Sequence, residues 1–158
     1  MRIEELDTPA LTVDLDIMER NLRSLGDYCR KHGLKLRPHT KTHKIPAIAK
    51  MQIAAGAAGI TVAKVGEAEV MAGAGLEDIL IAYPVVGQAK CERLAKVAQH
   101  KTITVSLDSI EVAQGISEAA TRAGSGVNIL VEFDVGMRRC GLQTVDAWLR
   151  VAQAVDKL

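Results

Sequence analysis

The chain has 158 residues, 48% of them hydrophobic and 25% charged, which is the composition of one globular domain with a hydrophobic core. Its 20 Lys and Arg residues nearly balance 19 Asp and Glu residues and leave a formal net charge of +1. That balance argues against nucleic acid or an anionic membrane as a partner, and it favours a small-molecule ligand.

The cysteines and the N-terminus indicate the compartment. Cys29, Cys91 and Cys140 are odd in number and lack the paired spacing of a zinc site or a disulfide framework. The opening residues, MRIEELDTPALTV, carry no secretory signal, and no apolar run approaches the roughly 18 residues of a membrane span. We therefore expect a cytoplasmic protein that does not enter membranes.

Short β-branched apolar runs alternate along the chain with alanine-rich helical stretches. The nearly continuous apolar character of these runs is typical of strands covered on both faces. They predict strands at residues 10–15, 34–39, 59–63, 78–83, 102–107 and 127–133. The stretches between them predict helices, of which one opens on Pro46, a favoured first helical residue, and closes with Gly56.

Three glycine-rich segments, AAGAAG, AGAG and AGSG, each end a helical stretch, whereas a nucleotide-binding loop follows a strand and opens a helix. We interpret them as helix caps and tight turns. The segment AKVGEAEV does follow a strand, but it has no second glycine. We interpret it as a helix start in which Glu67 favours the helix dipole.

The spacing of the strands predicts the fold class. From residue 34 onward the strands are separated by about 20 to 26 residues, the size of one strand-helix unit, so the sheet is expected to be parallel. A five-strand doubly wound α/β domain is complete at this length, whereas an eight-unit barrel needs about 250 residues. Counting residues alone favours the doubly wound domain.

Basic residues cluster in LRPHTKTHKIP, where a predicted strand meets the next helix. This is the carboxyl edge of the sheet, where ligands bind in both architectures. In a partly dry cleft, a lysine with cations such as Arg37, Lys44 or protonated histidines nearby becomes available as a nucleophile toward a carbonyl group. If strand alternation persists, Arg37, His39 and Lys41 share one face, which favours Lys41 over Lys44.

Simpler interpretations of this cluster remain open. His39 and His43 are four residues apart, a zinc-ligand spacing on a helix, but here they span a strand end and a turn, which disfavours metal binding. From the residues alone, Lys41 and Lys44 are better interpreted as solvated turn residues, and the histidines as caps of backbone groups.

A second cluster, EFDVGMRRCG at residues 132–141, also follows a predicted strand. Two acids are followed by a glycine turn and then by Arg138 and Arg139. A guanidinium group at this edge can bind a phenolate, a carboxylate or a phosphate. The alternative is an Asp-Arg pair that orders the loop.

The segments LRPHTKTHK, GITVAKVGEAEVMAGAGLEDILIAYPVVG and EFDVGMRRCG resemble the metal-activated D-threonine aldolase and D-serine dehydratase family, whose barrel is alanine-racemase-like and pyridoxal-phosphate-dependent. The resemblance runs from about Asp7 to the end of the chain. It implies that Lys41 forms the Schiff base with pyridoxal 5'-phosphate. Racemase-like relatives place the arginine of a Gly-Met-x-Arg segment near the cofactor's phenolic oxygen, which points to Arg139. His39, on the predicted face of Lys41, is a further candidate cofactor neighbour.

The resemblance replaces the doubly wound domain with a (β/α)8 barrel of the TIM type, followed by a mostly β domain. Residues 1–33 would supply an N-terminal strand and helix, and residues 34–158 about five β/α units of the cofactor-binding barrel. The other strands, the phosphate contacts and the ligands of a divalent metal would lie beyond Leu158. The chain is therefore expected to be the N-terminal part of a longer protein.

The implied function is that of a lyase, which cleaves or dehydrates a D-amino acid with a β-hydroxyl group. These 158 residues alone are expected to show little or no activity. The alternatives are a non-catalytic pyridoxal-phosphate carrier of the same barrel type and an amino-acid racemase. Because an open barrel segment has exposed edges and an uncovered interior, we expect a homo-oligomer such as a dimer, or association with the rest of the barrel.

Overall fold

The computed structural model describes residues 2–158, which form α-helices around a parallel β-sheet. Short 3-10 helices lie at Ile3–Glu5 and Thr40–Thr42. In chain order the main elements are α1 (Leu15–Lys31), α2 (Pro46–Ala54), β1 (Ile60–Val62), α3 (Val65–Gly73), β2 (Asp78–Ile81), α4 (Gln88–Ala98), β3 (Thr102–Leu107), α5 (Ile110–Ala123), β4 (Asn128–Val131) and α6 (Val145–Val155).

The four strands are hydrogen-bonded in the order β1-β2-β3-β4, and every pair is parallel. A doubly wound sheet reverses its strand order at a switch point, and the sheet described here has no such point. With right-handed crossovers, a sequential order places the connecting helices on one face, and consecutive helices from α2 to α6 do pack against each other. The structure is thus an open segment of a β/α barrel, and the doubly wound alternative is wrong.

The strands divide their side chains between the two faces of the sheet. One face packs against the helices, and the side chains there are almost completely buried: Ile60, Val62, Ile79, Ile81, Ile103, Val105 and Leu107. The other face carries the row Thr61, Leu80 and Thr104, which lie opposite one another in register. On this face Leu130 of β4 is 50% exposed, because the interior of the open segment is uncovered there.

Local sequence signals set the ends of the helices. The side chains of Asp14, Ser109 and Thr144 each accept a hydrogen bond from a backbone N–H in the first turn of the helix that follows. Pro46 begins α2, as predicted. The glycines after α2, α3 and α5 have positive φ, which confirms the interpretation of the glycine-rich segments as caps and turns.

The predicted strand at residues 10–15 is wrong for this chain. Asp14 caps the helix, which already begins at Leu15, and residues 10–14 form no strand within the described part of the chain. Leu11 is 95% exposed, so the apolar alternation that predicted a strand contacts no sheet.

The predicted strand at residues 34–39 is present only as an extended segment beside β1. The backbone N–H groups of Ala58 and Thr61 donate to the carbonyls of Leu36 and Pro38, each at 2.8 Å, and His39 forms a single parallel bridge with Thr61. Pro38 has no N–H to offer in return, so the ladder stays incomplete.

No helix among residues 2–158 is both long enough and apolar enough to cross a membrane.

Candidate active site

The turn that carries Lys41 follows the extended segment at the carboxyl edge of the sheet. Thr40–Thr42 forms a 3-10 turn, and the His39 side chain caps it, because its Nδ1 accepts the Lys41 backbone N–H at 3.3 Å. Thr40 is completely buried, and its hydroxyl donates to the Thr61 carbonyl at 3.1 Å. The side chain of Lys41 is exposed. The backbone of the turn is therefore held in place, while the side chain of Lys41 is left exposed.

This geometry corrects the prediction that Arg37, His39 and Lys41 share a strand face. Strand geometry stops at His39, and the 3-10 turn sets the direction of Lys41. Arg37 donates to both carboxylate oxygens of Asp78, the first residue of β2, and so lies at the amino edge. Arg37 is therefore not a neighbour that disfavours the charged form of Lys41.

The second lysine of the motif has a partner that the sequence did not indicate. Lys44 Nζ lies 3.4 Å from a carboxylate oxygen of Glu67, in the first turn of α3. The other oxygen of Glu67 accepts the Ala63 N–H at 2.8 Å. The available signal is a glutamate in the first turn of a predicted helix, but that position predicts only a favourable charge for the helix dipole.

Both histidines of the motif favour the neutral form. Burial lowers the pKa of His39, and the Lys41 charge lowers it further, which together outweigh the Glu67 carboxylate. Burial also lowers the pKa of His43, whose Nδ1 accepts the Ile45 N–H at 3.0 Å. Neither histidine therefore supplies the nearby positive charge that would favour the neutral amine of Lys41. Within residues 2–158 no three His, Cys, Asp or Glu side chains lie close enough to share a metal ion.

The loop after β4 is ordered by backbone contacts to acidic side chains. The Asp134 carboxylate accepts the N–H groups of Gly136 and Arg138, and these bonds lower its pKa. The Asp108 carboxylate accepts the N–H of Gly141 at 2.9 Å. Arg138 has a positive φ of 52°. Asp134 and Arg138 therefore order the loop, as the simpler interpretation expected, although through the backbone of Arg138.

Arg139 has a different environment in this loop. It is exposed and lines a surface cavity of about 280 Å³ together with Glu132 and Cys140. One carboxylate oxygen of Glu132 is buried without a hydrogen-bond partner among the described residues. The cavity therefore combines a guanidinium group with a carboxylate that has an unused acceptor.

The structure brings His39 and Lys41 together and leaves Arg139 apart from them. Arg139 lies in the loop after β4, whereas Lys41 follows the segment beside β1, so the two residues follow opposite ends of the sheet. Four strand spacings separate those ends, about 19 Å along the sheet. A ligand that contacts both side chains must therefore lie across the barrel interior.

The sheet is parallel and sequential, its helices form a single layer, and the Lys41 turn lies at its carboxyl edge. These features define a β/α-barrel protein with its candidate site at the usual end. Residues 13–158 match the family model described as alanine racemase, N-terminal domain. The chain belongs to that family.

Curated relatives match along nearly the whole chain. The 3-hydroxy-D-aspartate aldolase of Paracoccus denitrificans is 40% identical over 95% of the chain. The D-threo-3-hydroxyaspartate dehydratase of Delftia sp. is 35% identical over 93% of it. The matched region is 39% of either relative, so the chain spans about two fifths of their length.

A solved structure agrees with both the fold and the sequence. The crystal structure of D-threonine aldolase from Filomicrobium marinum superposes with a TM-score of 0.96 at 43% sequence identity. It covers 98% of this chain, which spans 42% of that structure. The prediction of a partial alanine-racemase-like barrel is confirmed.

Proposed function

We propose that the intact protein is a pyridoxal-phosphate-dependent lyase acting on D-amino acids that carry a β-hydroxyl group, with Lys41 as the residue that binds the cofactor. The observation that carries this proposal is the exposed Lys41 turn at the carboxyl edge of a barrel whose relatives are named as such lyases. The domain boundary at residue 34 and the site roles of Lys41, His39 and Arg139 remain predictions within it.

The names of the relatives support the substrate class more strongly than the reaction. D-threonine and 3-hydroxy-D-aspartate share the D configuration and a hydroxyl group on the β-carbon. The reactions differ, because one relative is named as a dehydratase and two as aldolases. The shared feature is therefore cleavage of a bond to the β-carbon. An aldolase breaks its bond to the α-carbon, and a dehydratase breaks its bond to the hydroxyl oxygen.

The residues of this chain fit part of the cofactor. The exposed amine of Lys41 suits its aldehyde group, and the exposed guanidinium of Arg139 suits its phenolic oxygen. Glu132 also lines the cavity of Arg139, and one of its carboxylate oxygens is buried without a hydrogen-bond partner among the described residues. We place the phosphate contacts and the divalent metal in the part of the intact protein outside residues 2–158.

When bound, pyridoxal phosphate supplies an electron sink for the bond that breaks next to the substrate amine. Lys41 then acts as the group that takes or gives a proton on its own side of the substrate. His39 holds the Lys41 backbone through its Nδ1 acceptor and, being neutral, adds no repelling charge. Arg139 orients the ligand from the opposite end of the edge.

The uncovered inner face also has a consequence for assembly. Leu130 faces the interior and is half exposed, so this face must be covered in the working protein. We propose that the rest of the barrel covers it and that the complete barrel works as a homodimer in the cytoplasm.

The experiment uses the intact protein, expressed from the complete reading frame and loaded with pyridoxal phosphate. Incubation with D-threonine should yield glycine and acetaldehyde if the protein is an aldolase, and 3-hydroxy-D-aspartate should yield ammonia and a keto acid if it is a dehydratase. The L-enantiomers and a Lys41→Ala variant are the controls. Racemisation without bond cleavage, or cofactor binding without turnover, would instead identify a racemase or a carrier.

A further inference from the structure

The turn that carries Lys41 ends in a residue with a strained backbone. Lys44 has a φ of 53°, in the left-handed region that residues with a Cβ rarely adopt. Its N–H donates to the Thr40 carbonyl at 2.7 Å, and the N–H of His43 donates to the same oxygen at 3.2 Å. Lysine has no short polar side chain to stabilise this conformation, so other contacts must help the backbone hydrogen bonds of the turn to hold it.

Glu67 supplies such a contact. Its carboxylate bridges two parts of the site, because one oxygen pairs with Lys44 Nζ at 3.4 Å and the other accepts the Ala63 N–H at 2.8 Å. Glu67 is only 8% exposed. The pair therefore ties the end of the Lys41 turn to the connection between β1 and α3.

The surroundings of Glu67 keep its carboxylate charged. Burial acts to raise the pKa of Glu67, but the Ala63 N–H bond and the charges of Lys44 and Lys64 outweigh it, and the pKa is lowered. The Glu67 carboxylate is thus charged throughout the neutral range.

We propose that Glu67 is a positioning residue for Lys41: its carboxylate holds Lys44 in the left-handed conformation and so fixes the turn from which the Lys41 side chain is presented. The effect on cofactor binding rests on the proposed role of Lys41. The mechanical claim, that Glu67 holds the backbone of the turn, concerns the turn alone. A carboxylate that served only the dipole of α3 would need to lie in the first helical turn, but it would not need to contact Lys44.

Backbone amide exchange in the intact protein without cofactor tests the mechanical claim. Glu67→Gln keeps an oxygen that can accept the Ala63 N–H but removes the charge that pairs with Lys44. Exchange at the His43 and Lys44 amides should rise roughly threefold to tenfold. The matched control, Glu69→Gln, lies on the same helix and loses a pair with Arg93, remote from the turn, so it should leave these amides unchanged. Unchanged exchange in Glu67→Gln, or an equal rise in the control, would overturn the proposal.

A second variant separates positioning from a general role in α3. Glycine adopts the left-handed conformation without strain, so in a Lys44→Gly background the turn no longer needs Glu67. Adding Glu67→Gln to that background should cause no further rise in exchange. The same rise in both backgrounds would show that Glu67 acts on α3 and not through Lys44, and would contradict the proposal.

The consequence for Lys41 is read from the rate at which it captures pyridoxal phosphate, followed by absorbance and assigned by peptide mapping. Glu67→Gln should slow capture, and the Lys44→Gly background should abolish that difference. If the unsubstituted protein is labelled at another lysine, the proposed function fails. The exchange measurements alone decide whether Glu67 holds the turn, so the two failures are distinguishable.

Discussion

Arg37 donates two hydrogen bonds to the carboxylate of Asp78, at 2.8 and 2.7 Å, and so joins the segment before the candidate site to the first residue of β2. The guanidinium also occupies the space that a Cβ at Gly59 would fill. This contact lies at the amino edge of the sheet, opposite Lys41. The same short motif thus stabilises the barrel at one edge and supplies its candidate reactive group at the other.

Replacement of Arg37 by lysine should destabilise the fold. A lysine cannot form two parallel bonds to the Asp78 carboxylate, and both side chains are mostly buried. We expect Arg37→Lys to lower the free energy of unfolding by about 1–3 kcal/mol, measured by urea denaturation. Arg23→Lys, which changes an exposed arginine paired with Glu19, should stay within about 0.5 kcal/mol. Equal stability of the two variants would contradict this account.

Gly59 should not tolerate a larger residue. A Cβ at this position would collide with the Arg37 guanidinium and lie 2.7 Å from the Asp78 carbonyl oxygen. Gly59→Ala is therefore expected to cost about 1–3 kcal/mol of unfolding free energy. Gly73, the last residue of α3, has open space around it, so Gly73→Ala should be neutral or stabilise by up to about 1 kcal/mol. Thermal or urea unfolding of both variants compares the two positions directly.

The buried hydroxyl of Thr40 should contribute measurably to stability. Valine has a similar shape but cannot donate to the Thr61 carbonyl, so Thr40→Val should lower the unfolding free energy by about 1–2 kcal/mol. Thr42 lies in the same turn but is exposed, and Thr42→Val should change stability by less than about 0.5 kcal/mol. A neutral Thr40→Val would show that this hydrogen bond does not hold the turn.

The histidines of the motif should make the fold sensitive to mild acid. The pKa values of His39 and His43 are lowered in the folded chain, so the unfolded chain takes up protons first as the pH falls. Stability should therefore decline from about pH 6.5 downward, until the pH reaches the lowered pKa values. The double variant His39→Gln, His43→Gln should show a flatter profile over this window in urea titrations. His100→Gln, which changes an exposed histidine after α4, should retain the slope of the unsubstituted protein.

Most of the sheet was predictable, because each strand is indicated by its own residues and by the turn residues on either side of it. The run at residues 102–107 matches β3 to the residue, and the runs at 59–63, 78–83 and 127–133 contain β1, β2 and β4. Each run is rich in branched apolar residues and bounded by turn signals. The predicted strand at residues 10–15 is wrong because an alternation of apolar and polar residues does not show whether a partner strand is present. Strand order is non-local, so residue counts favoured the wrong architecture and only the resemblance corrected it.

The site was predictable in position but not in detail. Lys41 lies at the carboxyl edge because it follows a segment that ends beside β1, as the sequence indicated. The direction of its side chain was not predictable, since nothing local marks the change from strand to 3-10 turn after His39. The Lys44 pair with Glu67 joins residues far apart in sequence through a left-handed backbone, and no spacing rule predicts such a contact.

Lys41, and not its neighbour Lys44, is the residue that we propose binds the cofactor. Intact protein loaded with pyridoxal phosphate can be reduced with borohydride, which converts the linkage to a stable secondary amine, and the modified peptide can then be mapped. We expect modification at Lys41 and its loss in a Lys41→Ala variant. Modification at Lys44 with Lys41 untouched would contradict it.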